Sequence, residues 1–322
     1  MSHELEIIDG VAQMAYTGET PWHGLGTKVS NDLSPTQMME VAGLDWSVEK
    51  VKSYIEVNGE KIATGQESLV RSSDNKVLTN VGKSWNPVQN EEAFNFFAEY
   101  VHAGDMEMHT AGSLKDGRVV FALAKVKESF DILGGDQVDS YLLFSNPHEF
   151  GKAVDVRFTP IRVVCNNTLT MSLESSSTNF VKIGHRSEFN PDSVKEQLGI
   201  AHHKFAQYKE VAQFLSKKRF TAESLVQYYN DVFPHTYSKD KEVENVVDLT
   251  KRGQEAHAVL ETQPGAEYGK GSWWQAFNSV TFLTDHVLGR TADSRLTSAW
   301  YGQNQLRKVA ALNKAVEYAE AA

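Results

Sequence analysis

The chain has 322 residues, 41% hydrophobic and 23% charged, enough apolar content to close one large core or two ordinary ones. Its single cysteine, Cys165, excludes an internal disulfide framework, and no run approaches the ~18 apolar residues that a membrane-spanning helix needs. With 32 basic against 42 acidic residues the net charge is −10, which excludes a uniformly basic surface and leaves local basic islands for any nucleic-acid contact.

Taken in chain order, the first thirty residues carry turn chemistry, with Pro21, Gly24 and Gly26 close together, and read as an ordered loop. Ser34 as N-cap and Pro35 at the first helical position open a helix, with Met38, Met39 and Val41 on it and Gly43 as its stop. Trp46 to Val57 alternates roughly in period two and ends at Asn58-Gly59, a strong hairpin signal. Strand patterns over Lys61–Arg71 and Lys76–Val81 continue it as an antiparallel meander. Asn90 is expected to cap the next helix, whose Ala93, Phe94, Phe97, Tyr100 and Val101 fall at three-to-four spacing. Two strands, Met106–Leu114 and Arg118–Lys125, join through Lys115-Asp116-Gly117. Ser140–Ser145 and Val154–Cys165 follow, and Pro160 favours an edge or a bulge in the latter.

Beyond about Glu174 the texture turns helical. Ile200, Phe205, Tyr208, Val211, Phe214 and Leu215 recur at helical spacing, and further helices are expected from Thr221 to Val232, Val243 to Leu260, Trp273 to Leu288 and Gln305 to Ala319. The fold class is therefore α+β, with an antiparallel β-meander and packed helices in the N-terminal half and a mostly α-helical C-terminal half. The expected division is 1–185 and 186–322.

Familiar chemistry is largely absent. Gly82-Lys83-Ser84 lacks the earlier glycine of a phosphate loop, because Val77 stands there and Trp85-Asn86-Pro87 follows. Eleven scattered histidines form no metal-ligand spacing, so neither a metal nor another cofactor is expected. Cys165 sits in an apolar run, where a free thiol is most often a small core residue. Asp285-His286 with Arg290 is the best catalytic constellation, but neighbours on a helix diverge by about 100°, so Asp285 does not orient His286 as in a hydrolase dyad. A polar stripe of Asn278, Asp285 or His286, and Arg290 is as readily a buried network fixing one helix against the next.

Two basic islands remain. Between Lys270 and Lys314 six basic residues face two acids, a local balance of +4, and between Gly151 and Leu173 Lys152, Arg157 and Arg162 face only Asp155. Aromatic faces stack on bases while Arg and Lys track phosphates. Lys152, Arg157, Arg162, Arg290, Arg295 and Arg307, with Trp85 and Trp300 as stacking platforms, are accordingly the expected contacts to single-stranded DNA.

The pattern G-S-W-W-Q-A-F-N-S-V-T-F-x-x-D-H from Gly271, then S-R-L-x-S-A-W-Y-G ending at Gly302, resembles the C-terminal signature of the phage- and plasmid-borne proteins grouped as domain of unknown function 932. Pro21-Trp22-His23-Gly24-Leu25-Gly26, Val81 to Phe94, and Arg162 to Leu169 resemble further stretches of that family, with Trp85 and Phe277 standing where it often shows tyrosine. The resemblance implies a mobile genetic element and no assigned catalytic residue. Its helix and β-meander layout is similar to the small core of single-strand annealing recombinases, an analogy of fold alone.

The sequence thus points to a non-enzymatic, homo-oligomeric phage or plasmid protein that binds single-stranded DNA, promotes annealing in replication or recombination, and works in the host cytoplasm away from membranes. The acidic start without an apolar stretch fits that location. The alternative is a counter-defence protein that engages a host protein, which the net charge of −10 suits.

Overall fold

A computed structural model describes residues 5–18, 25–162, 167–168, 180–235, 248–290, 295, 298–299 and 302–322. Expectations that rest on Trp22, His23, Cys165, Trp300, Tyr301 and 243–247 lie outside these residues.

Within the opening segment, expected as a loop, the described residues form strands, while Pro21 and Gly24 lie outside the described residues. These strands are β1 (Ile7–Ile8), β2 (Val11–Ala12), β3 (Met14–Tyr16) and β4 (Thr27–Lys28), and all three residues of β3 are buried. Strands of two or three residues are too short to show a period, which is why the sequence conceals them. Ser34 caps α1 (Pro35–Val41) as expected, in a capping box with Gln37. β5 (Val48–Val57) and β6 (Glu60–Arg71) form a hairpin in which Asn58 and Gly59 both take positive φ, 55° and 85°, as a two-residue turn of matching twist requires. β7 (Val77–Val81) completes this three-stranded sheet.

Helix α2 (Asn90–Ala103) starts at the expected cap itself, so its cap lies one residue earlier. Gln89 is the N-cap, its backbone N–H donating to the Glu92 carboxylate at 2.7 Å, while the Asn90 side chain is drawn into the core. β8 (Met106–Leu114), β9 (Val119–Asp131), β10 (Gln137–Pro147) and β11 (Val154–Arg162) then enter an eight-stranded sheet. Its order is β12-β11-β10-β9-β8-β3-β4, where β12 is Asn167–Thr168, and β13 (Phe180–Ile183) also pairs with β11. β13 pairs along Val154–Arg157 and β12 at Ile161 and Arg162, so Pro160 falls in the gap between the two partners. A missing N–H is tolerated there.

The C-terminal half is helical: α3 (Pro191–Lys217), α4 (Ala222–Val232), α5 (Lys251–Val259), α6 (Trp273–Phe282) and α7 (Gln303–Ala321). α6 continues as a π-helical turn, Leu283–Val287. No helix among the described residues is long and apolar enough to cross a membrane.

The chain divides into two compact units. The first comprises Met1–Lys127, Tyr141–Phe158 and Phe180–Ile200, and the second Glu128–Ser140, Thr159–Asn179 and Ala201–Ala322. In the first, α1 and α2 pack on each other and on β8, and Phe94, Phe96 and Phe97 are almost fully buried, roughly 2 kcal/mol of apolar burial each. In the second, α7 packs on α4 and α6.

Candidate functional site

In the second unit, the Trp-Trp segment is core. Ser272 caps α6 by accepting from the Gln275 N–H, and every residue from Trp273 to Thr281 is buried. Trp273 stacks on Tyr318 and meets Tyr228 and Phe220 edge-on, while Trp274 donates its indole N–H to Asp136 at 2.8 Å. Gln275 donates to the Leu260 and Ala266 carbonyls, both at 3.1 Å, and accepts from the Gly271 N–H at 2.7 Å. Hydroxyls of Ser279, Thr281 and Thr284 donate back to carbonyls of the preceding turn, which lets polar residues sit in a dry helix. Asn278, expected on a polar stripe, likewise donates to the Trp274 carbonyl at 2.8 Å.

Charge gathers at the π-helical turn. A π-helix frees carbonyls from the ordinary ladder and often marks a functional segment. Asn304 donates to two of these, Thr284 at 2.7 Å and Leu288 at 3.1 Å, and accepts from Arg307 at 3.0 Å. Arg295 donates to the His286 carbonyl. Lys308 donates to the Asp285 carboxylate at 2.7 Å, with side chains only 2% and 6% exposed. His286 lies against the Phe282 ring at 5.0 Å. Asp285, expected not to orient His286, is engaged by a lysine from α7, and the arrangement is a latch between α6 and α7, as the buried-network reading of the polar stripe has it. Arg290 is exposed on the bend that follows.

The first unit holds a second polar cluster, around Trp85 to Asn90. Asn86 exchanges bonds with His185, its N–H donating to the His185 carbonyl at 2.6 Å and its carbonyl meeting His185 Nδ1 at 3.0 Å. Gln89 clasps both backbone groups of Val48, at 2.9 and 3.0 Å. Asn90 donates to the Leu44 and Trp46 carbonyls, so its Oδ1 must accept from His148 Nε2 at 3.0 Å. That tautomer leaves the buried His148 Nδ1 without a donor, and the Asn146 Oδ1 is buried without one as well. Burial holds the His148 imidazole far below its ordinary range, at about 3, with the neighbouring His185 adding to the shift. Burial also lowers His185, against the opposing pull of the Asn86 and Pro147 carbonyls.

Sequence-derived contacts are spread over these surroundings. Trp85 is 7% exposed with one ring face on His185, 3.9 Å between centroids. Arg157 is held in a two-pronged ion pair by Asp155. Lys152 is exposed in the turn between β10 and β11, next to Phe150, an aromatic ring that is 65% exposed and that sequence patterning does not single out. Arg162 ends β11 and its side chain, like Trp300, lies outside the described residues. Arg290, Arg295 and Arg307 belong to the second unit, whereas Lys152, Arg157 and Trp85 belong to the first. Among the described residues no three His, Cys, Asp or Glu side chains gather as a metal site.

No curated protein and no solved structure is detectably similar to this chain. Residues 77–300, more than half of the 322, match one family model, and they include Trp85–Asn90 and the Asp285 side of the latch, whose Asn304 and Lys308 lie beyond them. The chain belongs to the family described as Domain of unknown function (DUF932).

Proposed function

We propose that the protein is a non-enzymatic, single-stranded DNA-binding protein of a phage or plasmid, acting in annealing during replication or recombination. The observation that carries this reading is the turn from Phe150 to Lys152, where an aromatic ring 65% exposed stands two residues from an exposed lysine. A solvated ring is an open platform for a base, and a neighbouring cation suits the phosphate beside it. Trp85 already spends one ring face on His185, and Trp273 and Trp274 are core, so stacking falls to Phe150 and charge to Lys152 beside it. Lys308 engages the Asp285 carboxylate at 2.7 Å, so that carboxylate serves the join between α6 and α7.

Fluorescence anisotropy with a labelled oligothymidine at about 50 mM salt tests it, since phosphate contacts are strongest there. Phe150→Ala is expected to weaken binding roughly tenfold, in the range for loss of one stacked base, and Lys152→Ala to lower the salt dependence. A folded wild-type protein that shows no binding at that salt removes the proposal. The net charge of −10 favours a second reading, a host protein as partner in counter-defence. In that case affinity purification from infected or plasmid-bearing cells recovers one host protein stoichiometrically, and recovery of DNA-processing factors alone argues against it.

A further inference from the structure

The hairpin of β5 and β6 is an arm whose outer strand is an open edge. Beyond Ser53 both strands are exposed on both faces, and Tyr54, Ile55, Val57 and Ile62 are each about half exposed. An isolated two-stranded ribbon is marginal in water, and an exposed edge strand is a template for another strand. Two of the usual defences, a proline and a bulge on the edge strand itself, are missing here, while charged side chains are present as Glu49, Lys50, Lys52 and Glu56. β5 contains no proline, and the irregularity between Lys52 and Tyr54 sits on β6, where Thr64, Gly65 and Gln66 lie opposite Ser53. The edge strand itself stays regular over ten residues.

Backbone directions along that edge can be followed residue by residue. At Val48 the N–H and C=O are bonded by the Gln89 side chain, as a neighbouring strand would bond them, whereas the Ser53 carbonyl accepts from Thr64 on β6. Strand alternation then turns the backbone groups of Lys52, Tyr54 and Glu56 outward. Among the described residues no strand pairs with them. Among the described residues neither the Lys52 ammonium nor the Glu56 carboxylate has a partner, although Lys50 nearby is paired with Glu67.

We propose that β5 pairs antiparallel with β5 of a second copy, about a twofold axis at Tyr54, to join two three-stranded sheets into one of six strands. In that register Lys52 faces Glu56 of the other copy twice, Tyr54 faces Tyr54, and Val51 faces Val57. The outward backbone groups of Lys52, Tyr54 and Glu56 are the ones that exchange bonds. The charges of the strand are thus self-complementary, which favours a second copy over an unrelated partner. The inference does not depend on DNA binding, because none of these residues belongs to the proposed DNA contacts.

Sedimentation equilibrium of the full chain, without DNA, is the test. The wild type is expected to dimerise, and Lys52→Glu or Glu56→Lys to weaken dimerisation roughly tenfold, since each change sets like charges opposite one another at two symmetric positions. The double variant Lys52→Glu, Glu56→Lys restores both pairs and is expected to return the dimer to near wild-type strength. Both side chains changed are exposed, so circular dichroism should show every variant folded. A wild type that stays monomeric at ~100 μM, a concentration at which a dimer of even modest affinity forms, overturns the proposal. So does single-variant association equal to the wild type's, or a double variant no stronger than the singles.

Discussion

Lys308 and Asp285 show what a single side chain decides in this protein. Their charges are almost wholly buried and 2.7 Å apart, so each is tolerated because the other is present. Removing one partner of a buried pair leaves an uncompensated charge and costs about 3–5 kcal/mol. Lys308→Met is therefore expected to lower the urea midpoint sharply, and adding Asp285→Leu to recover part of the loss; equal stability for wild type and single variant would place the pair in solvent. Adjacency on a helix already separates Asp285 from His286 by about 100° and names no partner for either. The residue that binds Asp285 stands 23 positions later, and no local spacing announces it. Asn90 carries the same lesson: its type and place suit an N-cap, yet three core contacts outcompete the helix end for its side chain.

At the scale of elements, the two hairpin turns were legible because they depend on neighbours in the chain. Asn58-Gly59 and Lys115-Asp116-Gly117 both adopt positive φ where the sequence places turn residues. Their surroundings differ, and this separates two substitutions that look alike. An alanine at Gly59, φ 85°, meets open space, so Gly59→Ala is expected to cost about 1 kcal/mol of backbone strain. At Gly117, φ 89°, a Cβ would lie 2.6 Å from Arg71 Nη1, which donates to Glu6 while Nε and Nη2 of the same guanidinium donate to Asp74. Gly117→Ala is expected to cost about 2–3 kcal/mol, strain plus displacement of a buried guanidinium. Thermal melts of the two variants in parallel provide the comparison, and equal losses would show that Arg71 moves aside freely. Helices α1 and α4 begin where Ser34 and Thr221 predict, and α6 departs from expectation only where Asn304, from α7, bonds carbonyls of its last turn.

For the whole molecule, the buried histidine makes stability depend on pH. His148 has a folded-state value of about 3 against an ordinary 6.5, so below pH 6.5 the unfolded chain takes up a proton that the folded chain refuses. Stability from this group is complete above about pH 6.5 and declines as pH falls toward 3. The slope is about 1.4 kcal/mol per pH unit, hence roughly 2 kcal/mol lost between pH 7 and 5. His185, lowered by burial too, acts in the same direction. Asp74 acts lower down: hydrogen bonding from Arg71 holds it at about 2 against 3.8, and its contribution disappears between those values. Denaturant titrations at pH 7 and 5 measure the first effect, and His148→Gln is expected to flatten it while lowering stability at pH 7. An unchanged dependence in that variant would assign it to other groups.

What the sequence determined by itself was the succession of elements: a meander broken by two amphipathic helices, then helices opened by Ser, Thr and Pro. Caps, turns and periodicity act over a few residues, so they can be read without knowing the rest. It also marked Trp85–Asn90 and Gly271–Asn304 as distinctive, through a family resemblance that the match over 77–300 confirms. Only the tertiary structure decided what those stretches do. Aromatic and polar residues that suit a ligand also suit a core, and the choice depends on partners far away in the chain, Asp136 for Trp274, His185 for Trp85 and Lys308 for Asp285. The exposed Phe150 and the open edge of β5 were hidden for the same reason, because exposure is a property of packing, and packing is not written in any one segment.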